Sequence, residues 1–289
     1  MTGHARDEAL ADVPALGPLF GKALLSRHRA GGELVTDRLT VADQPVDTDR
    51  LRRYQQVCGF RVSDLLPPTY LHLMAFPLSI ARMARPDFPF PLLGLVHVEN
   101  TLRQYRPVSS AEPVSVSVWA ANLRPHPAGQ QLDLVSEVTV AGELVWTETS
   151  TYLRRGRTGE RAAGERAAKQ RSDPGGPVIR WPVPADTGRR YAAVSGDRNP
   201  IHLHKLTARA FGFRAAIAHG LWLKARTLAA FEGRLPAAFT IEVAFKTPVL
   251  LPAQVELVAP ATAGGWQLDV HDLRTGKPHL TGRIAVTAD

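Results

Sequence analysis

Cysteine is almost absent from this 289-residue chain, with Cys58 standing alone. No internal disulfide can form, and no zinc site built on several clustered thiolates can be assembled. Such usage suits a reducing compartment, and a cytoplasmic protein is expected. Long hydrophobic runs are missing too: no apolar stretch approaches the roughly 20 residues that span a bilayer, so membrane insertion is not expected. The opening segment carries Asp7, Glu8 and Asp12 with no apolar run and does not have the form of a secretory signal. What is present is ordinary for a globular chain, 44% hydrophobic and 21% charged. That composition can bury a core and excludes wholesale disorder.

The formal net charge of +8 invites a partner that is nucleic acid or otherwise anionic. Its distribution argues otherwise. Arg154, Arg155, Arg157, Arg161, Arg166, Lys169 and Arg171, set against Glu160, Glu165 and Asp173, place +4 of the charge within residues 154–177. This stretch is rich in Arg, Gly, Ala and Glu and has almost no large apolar side chain, so it reads as an exposed linker. A charged helix through GERAAGERAAK is the alternative. No basic stripe interleaved with aromatics accompanies it, and nucleic acid is not an expected partner. The chain divides into residues 1–153, a basic linker at 154–177, and residues 178–289.

The two flanking parts resemble each other. Asp49-Arg-Leu-Arg-Arg-Tyr-Gln-Gln-Val-Cys-Gly59 lies over Asp186-Thr-Gly-Arg-Arg-Tyr-Ala-Ala-Val-Ser-Gly196, sharing Asp, Arg, Arg, Tyr, Val and Gly at one offset. Tyr105–Val116 and Lys246–Leu257 share a Pro-Val and the apolar alternation after it. In the second half, Thr187–Val194 reads as a helix ending at Ser195-Gly196, Lys205–Phe211 as a helix stopped by Gly212, and Leu221–Glu232 as a largely buried helix. Period-two alternation predicts strands at Ile179–Val183, Thr240–Lys246, Gln254–Val258, Trp266–Val270 and Leu280–Val286. The first half repeats the plan, with a helix over Tyr70–Met83 and strands near Gly94–Gln104, Val114–Asn122, Gln131–Val140 and Leu144–Tyr152. In each half a buried helix followed by an antiparallel meander implies a sheet wrapped around that helix, an α+β arrangement.

The densest chemistry is Tyr191-Ala-Ala-Val-Ser-Gly-Asp-Arg-Asn-Pro-Ile-His202, followed by Gly212-Phe-Arg-Ala-Ala-Ile-Ala-His-Gly220. Gly196 and Pro200 make a stiff turn that presents Asp197, Asn199 and His202 from one short loop. A carboxylate and an imidazole so placed can share one water, and histidine exchanges a proton near neutral pH. These two linked motifs closely resemble those of the MaoC-like acyl dehydratases, the R-specific enoyl-thioester hydratases. With the duplicated layout, the whole chain resembles the actinobacterial double-hotdog 3-hydroxyacyl-thioester dehydratases.

That resemblance implies a double hotdog and the interconversion of (3R)-3-hydroxyacyl and trans-2-enoyl thioesters in fatty acid metabolism, with neither metal nor redox cofactor. It makes Asp197 and His202 a catalytic dyad, Asn199 a supporting polar residue, and the Gly220 backbone N–H the donor to the oxyanion. A helix start offers such N–H groups freely. The substrate is expected on coenzyme A or acyl carrier protein, with Lys205, Arg209 and Arg214 as candidate carrier contacts beside the catalytic loop; a solvated helix face is their plainer role. In the first half Phe60 stands where Asp197 stands and no Asn-Pro-x-His follows, so that half is expected to be a degenerate hotdog shaping the acyl-chain pocket. A monomer and a homodimer of fused chains both fit.

Plainer readings compete residue by residue. An Asp on an Asn-Pro turn caps or turns the chain, Ser195 ends its helix, and His219 before a helix caps or packs. A Ser195, Asp197, His202 triad lacks the Gly-x-Ser-x-Gly elbow, and His202-Leu-His204 with Asp197 lacks a further ligand cluster for a metal. A thioesterase and a non-catalytic acyl-binding module are the alternative functions.

Overall fold

The computed structural model describes residues 7–19, 34–92, 94–156 and 176–286. Two compact units emerge, and they interleave along the chain. One comprises the described residues of Met1–Val46, Leu71–Asn100 and Ala111–Gln170; the other comprises those of Asp47–Tyr70, Thr101–Ser110 and Arg171–Asp289.

In the first unit, β1 (Glu8–Ala9), β2 (Leu39–Gln44), β3 (Leu95–Gln104, which ends in the second unit), β4 (Val114–His126), β5 (Gly129–Val140) and β6 (Glu143–Arg155) lie in the order β1-β2-β4-β5-β6-β3. Strand β4 shows why the meander forms: Val114, Val116, Val118 and Ala120 alternate inward, the period of a half-buried strand. The helix of this unit, α2 (Tyr70–Met83), is preceded in the chain by α1 (Thr48–Cys58) of the second unit. Phe76, Ile80 and Met83 of α2 pack with Phe88, Phe90, Ala120, Leu132 and Leu134. Burying each such side chain contributes roughly 1.5–3 kcal/mol. Strand β6 runs through Arg154 and Arg155, which pair with Gln130 and Gly129, so those two charges belong to the sheet. The expected linker or charged helix at 157–175 lies outside the described residues.

The second unit contains β7 (Val178–Val183), α3 (Thr187–Ser195), α4 (Pro200–Leu203), α5 (Lys205–Ala210), α6 (Gly220–Ala229), β8 (Phe239–Phe245), β9 (Ala253–Val258), β10 (Ala261–Thr262), β11 (Gly265–Asp272) and β12 (Pro278–Ala285). Its strands lie in the order β7-β9-β11-β12-β8, the same permutation as β2-β4-β5-β6-β3. The repeat seen in the sequence is therefore a repeat of topology. Helix α6 buries Trp222, Leu223, Ala225, Leu228 and Ala229, and beyond it Phe231 packs on Trp266 of β11. It ends at Ala229, earlier than the expected Glu232, because the next residues close single turns onto Thr227, Leu228 and Ala229.

Helices α1 and α3, the aligned segments, end alike. Gly59 and Gly196 are both C-caps in the left-handed region, φ +78° and +81°, where a Cβ is strained. Both helices belong to the second unit, and their matching tyrosines, Tyr54 and Tyr191, face each other with ring centroids 6.2 Å apart.

Candidate active site

Helix α3 delivers the chain into the motif loop. Ser195, its last residue, accepts the Asp197 N–H on Oγ at 3.1 Å, and Asp197 Oδ1 accepts the Asn199 N–H at 3.1 Å. The expected stiff turn then becomes one turn of helix, α4. Pro200 sits in its first turn, where a missing N–H costs nothing, and the Asn199 side chain caps it by accepting from the Ile201 N–H. Asn199 thus acts on the helix that carries His202. Gly188 of α3 packs against the His202 carbonyl so closely that a Cβ there would stand 2.1 Å from the oxygen.

A second segment closes the site. Ala216–Ala218 is strapped by backbone hydrogen bonds to Val249 and Leu251 and to the Ile201 carbonyl. This fixes the Ile217 carbonyl, which accepts from His202 Nδ1 at 2.9 Å. In the neutral ring the proton is therefore on Nδ1 and the lone pair is on Nε2. Burial holds His202 below the ordinary histidine pKa of 6.5, against the opposing pull of Asp197 and the Ile217 carbonyl. Near neutral pH it is a free base.

His219, read from the sequence as a capping or packing residue, makes no side-chain cap bond. Its ring stacks on His202, with centroids 3.6 Å apart and planes 23° apart. Its Nε2–H donates to the Asp197 carbonyl at 3.0 Å and lies 3.7 Å from Oδ2. The Tyr191 ring packs against it as well, with centroids 4.8 Å apart. Burial first, and the neighbouring imidazole second, push His219 down to about 3, so it stays neutral and cannot repel a proton arriving at His202. Asp197, His202 and His219 each offer one ligand atom within 4.8 Å of the others. They are close enough to share a cation, and the His219 Nε2–H and His202 Nδ1–H bonds leave the opposite nitrogen of each ring, His219 Nδ1 and His202 Nε2, with its lone pair. The His202 Nε2 lone pair suits proton transfer. The metal grouping considered from sequence used His204, which instead is exposed at the N-cap of α5.

Gly220 opens α6. The first bond back along the helix runs from Leu223 N–H to the His219 carbonyl, so the N–H groups of Gly220, Leu221 and Trp222 have no acceptor within the helix. A Cβ at Gly220 would meet the Phe245 ring at 3.0 Å, a tight contact to which the ring would have to yield. Lys205, Arg209 and Arg214 are exposed on α5 and the loop after it.

The first half supplies two supports that no motif announced. Arg50 of α1 donates to the Val194 carbonyl at 2.7 Å and the Ser195 carbonyl at 3.3 Å, satisfying the end of α3 just before the motif loop. Trp222 Nε1–H donates to the Val57 carbonyl. Phe60, aligned with Asp197, is buried and stacks on Tyr54, and no helix intervenes between Gly59 and α2.

Residues 167–279 match the MaoC like domain. The 3-hydroxyacyl-thioester dehydratase X of Mycobacterium tuberculosis is 38% identical over 256 residues, which cover 87% of this chain and 90% of that protein. The crystal structure of HtdX from the same organism superposes with a TM-score of 0.76 at 35% identity, covering 86% of this chain and all of that one. A further M. tuberculosis protein, described as a double hotdog, is 14% identical with a TM-score of 0.55 over 89% of this chain and 99% of its own, a likeness of fold alone. The chain is a double hotdog and belongs to the MaoC-like dehydratases.

Proposed function

We propose that this protein is a 3-hydroxyacyl-thioester dehydratase of fatty acid metabolism, a hydro-lyase that interconverts (3R)-3-hydroxyacyl and trans-2-enoyl thioesters, with Asp197 and His202 as its acid–base dyad. The observation that carries the reading is the lone pair of His202 Nε2, set free by the Nδ1–H bond to Ile217 and grouped with the Asp197 carboxylate. In the hydration direction a water held between the two gives a proton to Nε2 as its oxygen bonds to C3 of the enoyl group. The double-bond electrons move toward the thioester oxygen, where the Gly220 N–H donates to the developing negative charge. The proton then passes to C2, so one water is added and the dyad is restored. Dehydration runs the same steps backward.

The thioester is carried on coenzyme A or acyl carrier protein. The acyl tail is assigned to the first half, which lacks the dyad residues and carries Phe60 where Asp197 stands.

Purified protein given a series of trans-2-enoyl-CoA substrates should consume the double bond without releasing free thiol. Thiol release with the double bond intact would overturn the reading in favour of a thioesterase, and saturable binding without turnover would favour a binding module. Asp197→Asn and His202→Ala should each lose 10²- to 10⁴-fold in kcat/KM, the usual worth of a general base, while keeping the wild-type melting temperature within a few degrees.

A further inference from the structure

Helix α5 is built the wrong way round for a surface helix. Its buried residue is Ala208, whereas Leu206 is 66% exposed and Phe211, at its C-cap, 47% exposed. At about 100° per residue, Leu206 stands nearly opposite Ala208, with Arg209 beside it on the outward arc and Lys205 on the flank at the start of the helix. Lys205, Arg209 and Arg214 are all exposed, and among the described residues none of them has a carboxylate at ion-pair distance. The patch is also preformed. Thr207 Oγ1–H donates to the Pro200 and His204 carbonyls. Phe213 N–H bonds back to Ala208 O and Gly212 N–H to Arg209 O, with Gly212 at φ +85°, the pair of bonds that closes a helix firmly.

We infer that this face of α5 docks an acidic acyl carrier protein. The inference rests on the proposed thioester chemistry and selects between its two carriers. Coenzyme A phosphates would account for the cations, but a hydrophilic nucleotide does not cover two large apolar side chains. An acidic, amphipathic helix of a protein partner does both, pairing its carboxylates with Lys205, Arg209 and Arg214, burying Leu206 at the centre of the contact and covering Phe211 at its edge past the end of α5. Position agrees: α5 begins three residues after His202, so a partner seated there holds its acyl arm beside the dyad.

The test compares one trans-2-enoyl chain carried on acyl carrier protein and on coenzyme A, in the wild type, in Lys205→Glu/Arg209→Glu and in Leu206→Ser. The ratio of KM on carrier protein to KM on coenzyme A should rise at least 10-fold in the charge-reversed protein and about 3- to 10-fold in Leu206→Ser, and the charge effect should shrink in 0.5 M salt. A ratio left at its wild-type value in Leu206→Ser overturns the protein partner, and a parallel rise in both KM values on charge reversal assigns the cations to coenzyme A. Calorimetric titration with carrier protein reads docking without turnover. Absence of turnover on every thioester would refute the dehydratase reading, whereas absence of carrier-protein binding would refute the docking surface alone.

Discussion

The sharpest test of how this fold holds its dyad is one methyl group, Gly188→Ala. In isolation the change should help, because alanine is favoured over glycine inside a helix by about 1 kcal/mol. The packing reverses the sign. The new Cβ would stand 2.1 Å from the His202 carbonyl oxygen, where real contacts of this kind do not fall below 3.0 Å, so the His202 peptide must retreat by about 0.9 Å. His202 is held by its own N–H to the Asn199 carbonyl at 3.0 Å and by Nδ1–H to the Ile217 carbonyl at 2.9 Å. A retreat of that size breaks the second bond and, with it, the tautomer lock. Misplacing a catalytic group by about 1 Å costs on the order of 10²-fold in rate, and overpacking a well-filled site costs about 1–3 kcal/mol. The expected outcome is a 10²-fold fall in kcat/KM for enoyl-CoA hydration at pH 7, with a melting temperature lower by several degrees. Ala193→Gly, on the exposed face of the same helix, provides the control: it should lose about 1 kcal/mol of stability and keep its activity. A Gly188→Ala enzyme within threefold of wild type would refute the idea that α3 sets the position of His202.

Further outcomes follow from the neighbours of the dyad. Because burial lowers the pKa of His202, the acid limb of the kcat/KM profile should lie below pH 6.5; a limb above it would mean that His202 is not the base. His219 takes a proton near 6.5 when unfolded but only at about 3 when folded. The folded protein therefore binds fewer protons between those values, and stability, intact above pH 6.5, should fall by up to about 1.4 kcal/mol per unit as the pH drops toward 3. Denaturant melts from pH 7 to 4.5 should show a shallower slope in His219→Phe, which retains an aromatic ring; an equal slope would refute this account. Arg50→Ala leaves the Val194 and Ser195 carbonyls without their guanidinium donor. It should cost about 1.5–3 kcal/mol, read as a loss of several degrees in thermal melts, and a neutral result would show that the end of α3 does not need the cap.

Much of this was legible in the sequence because it is local. Alternation placed the strands of both meanders, αL glycines closed α1 and α3 where Gly59 and Gly196 were aligned, and the Gly-Asp-x-Asn-Pro-x-His loop presented its residues from a few consecutive positions. The stacking of His219 on His202 was not legible: it joins residues brought together by the strap at Ala216–Ala218, and no periodicity encodes a ring pair. The same holds for Arg50, which reaches the Ser195 carbonyl from 145 residues away, and for Gly188, whose need to be glycine comes from the loop packed on it. A helix wheel would have flagged Leu206 as outward-facing, but only burial shows that nothing in the described residues covers it.

The interleaving of the units constrains how the chain can be cut or inherited. Phe60 stands where the second copy has Asp197, yet the first copy still lends α1, with Arg50 and the Val57 carbonyl, to the unit that carries Asp197 and His202. A fragment of residues 178–289 would keep every motif residue and lose the cap on α3 and the acceptor of Trp222. The half without the motif thus stays bound to the half that has it: change there is tolerated only where it spares α1, and a return to a single copy would require those supports to be rebuilt.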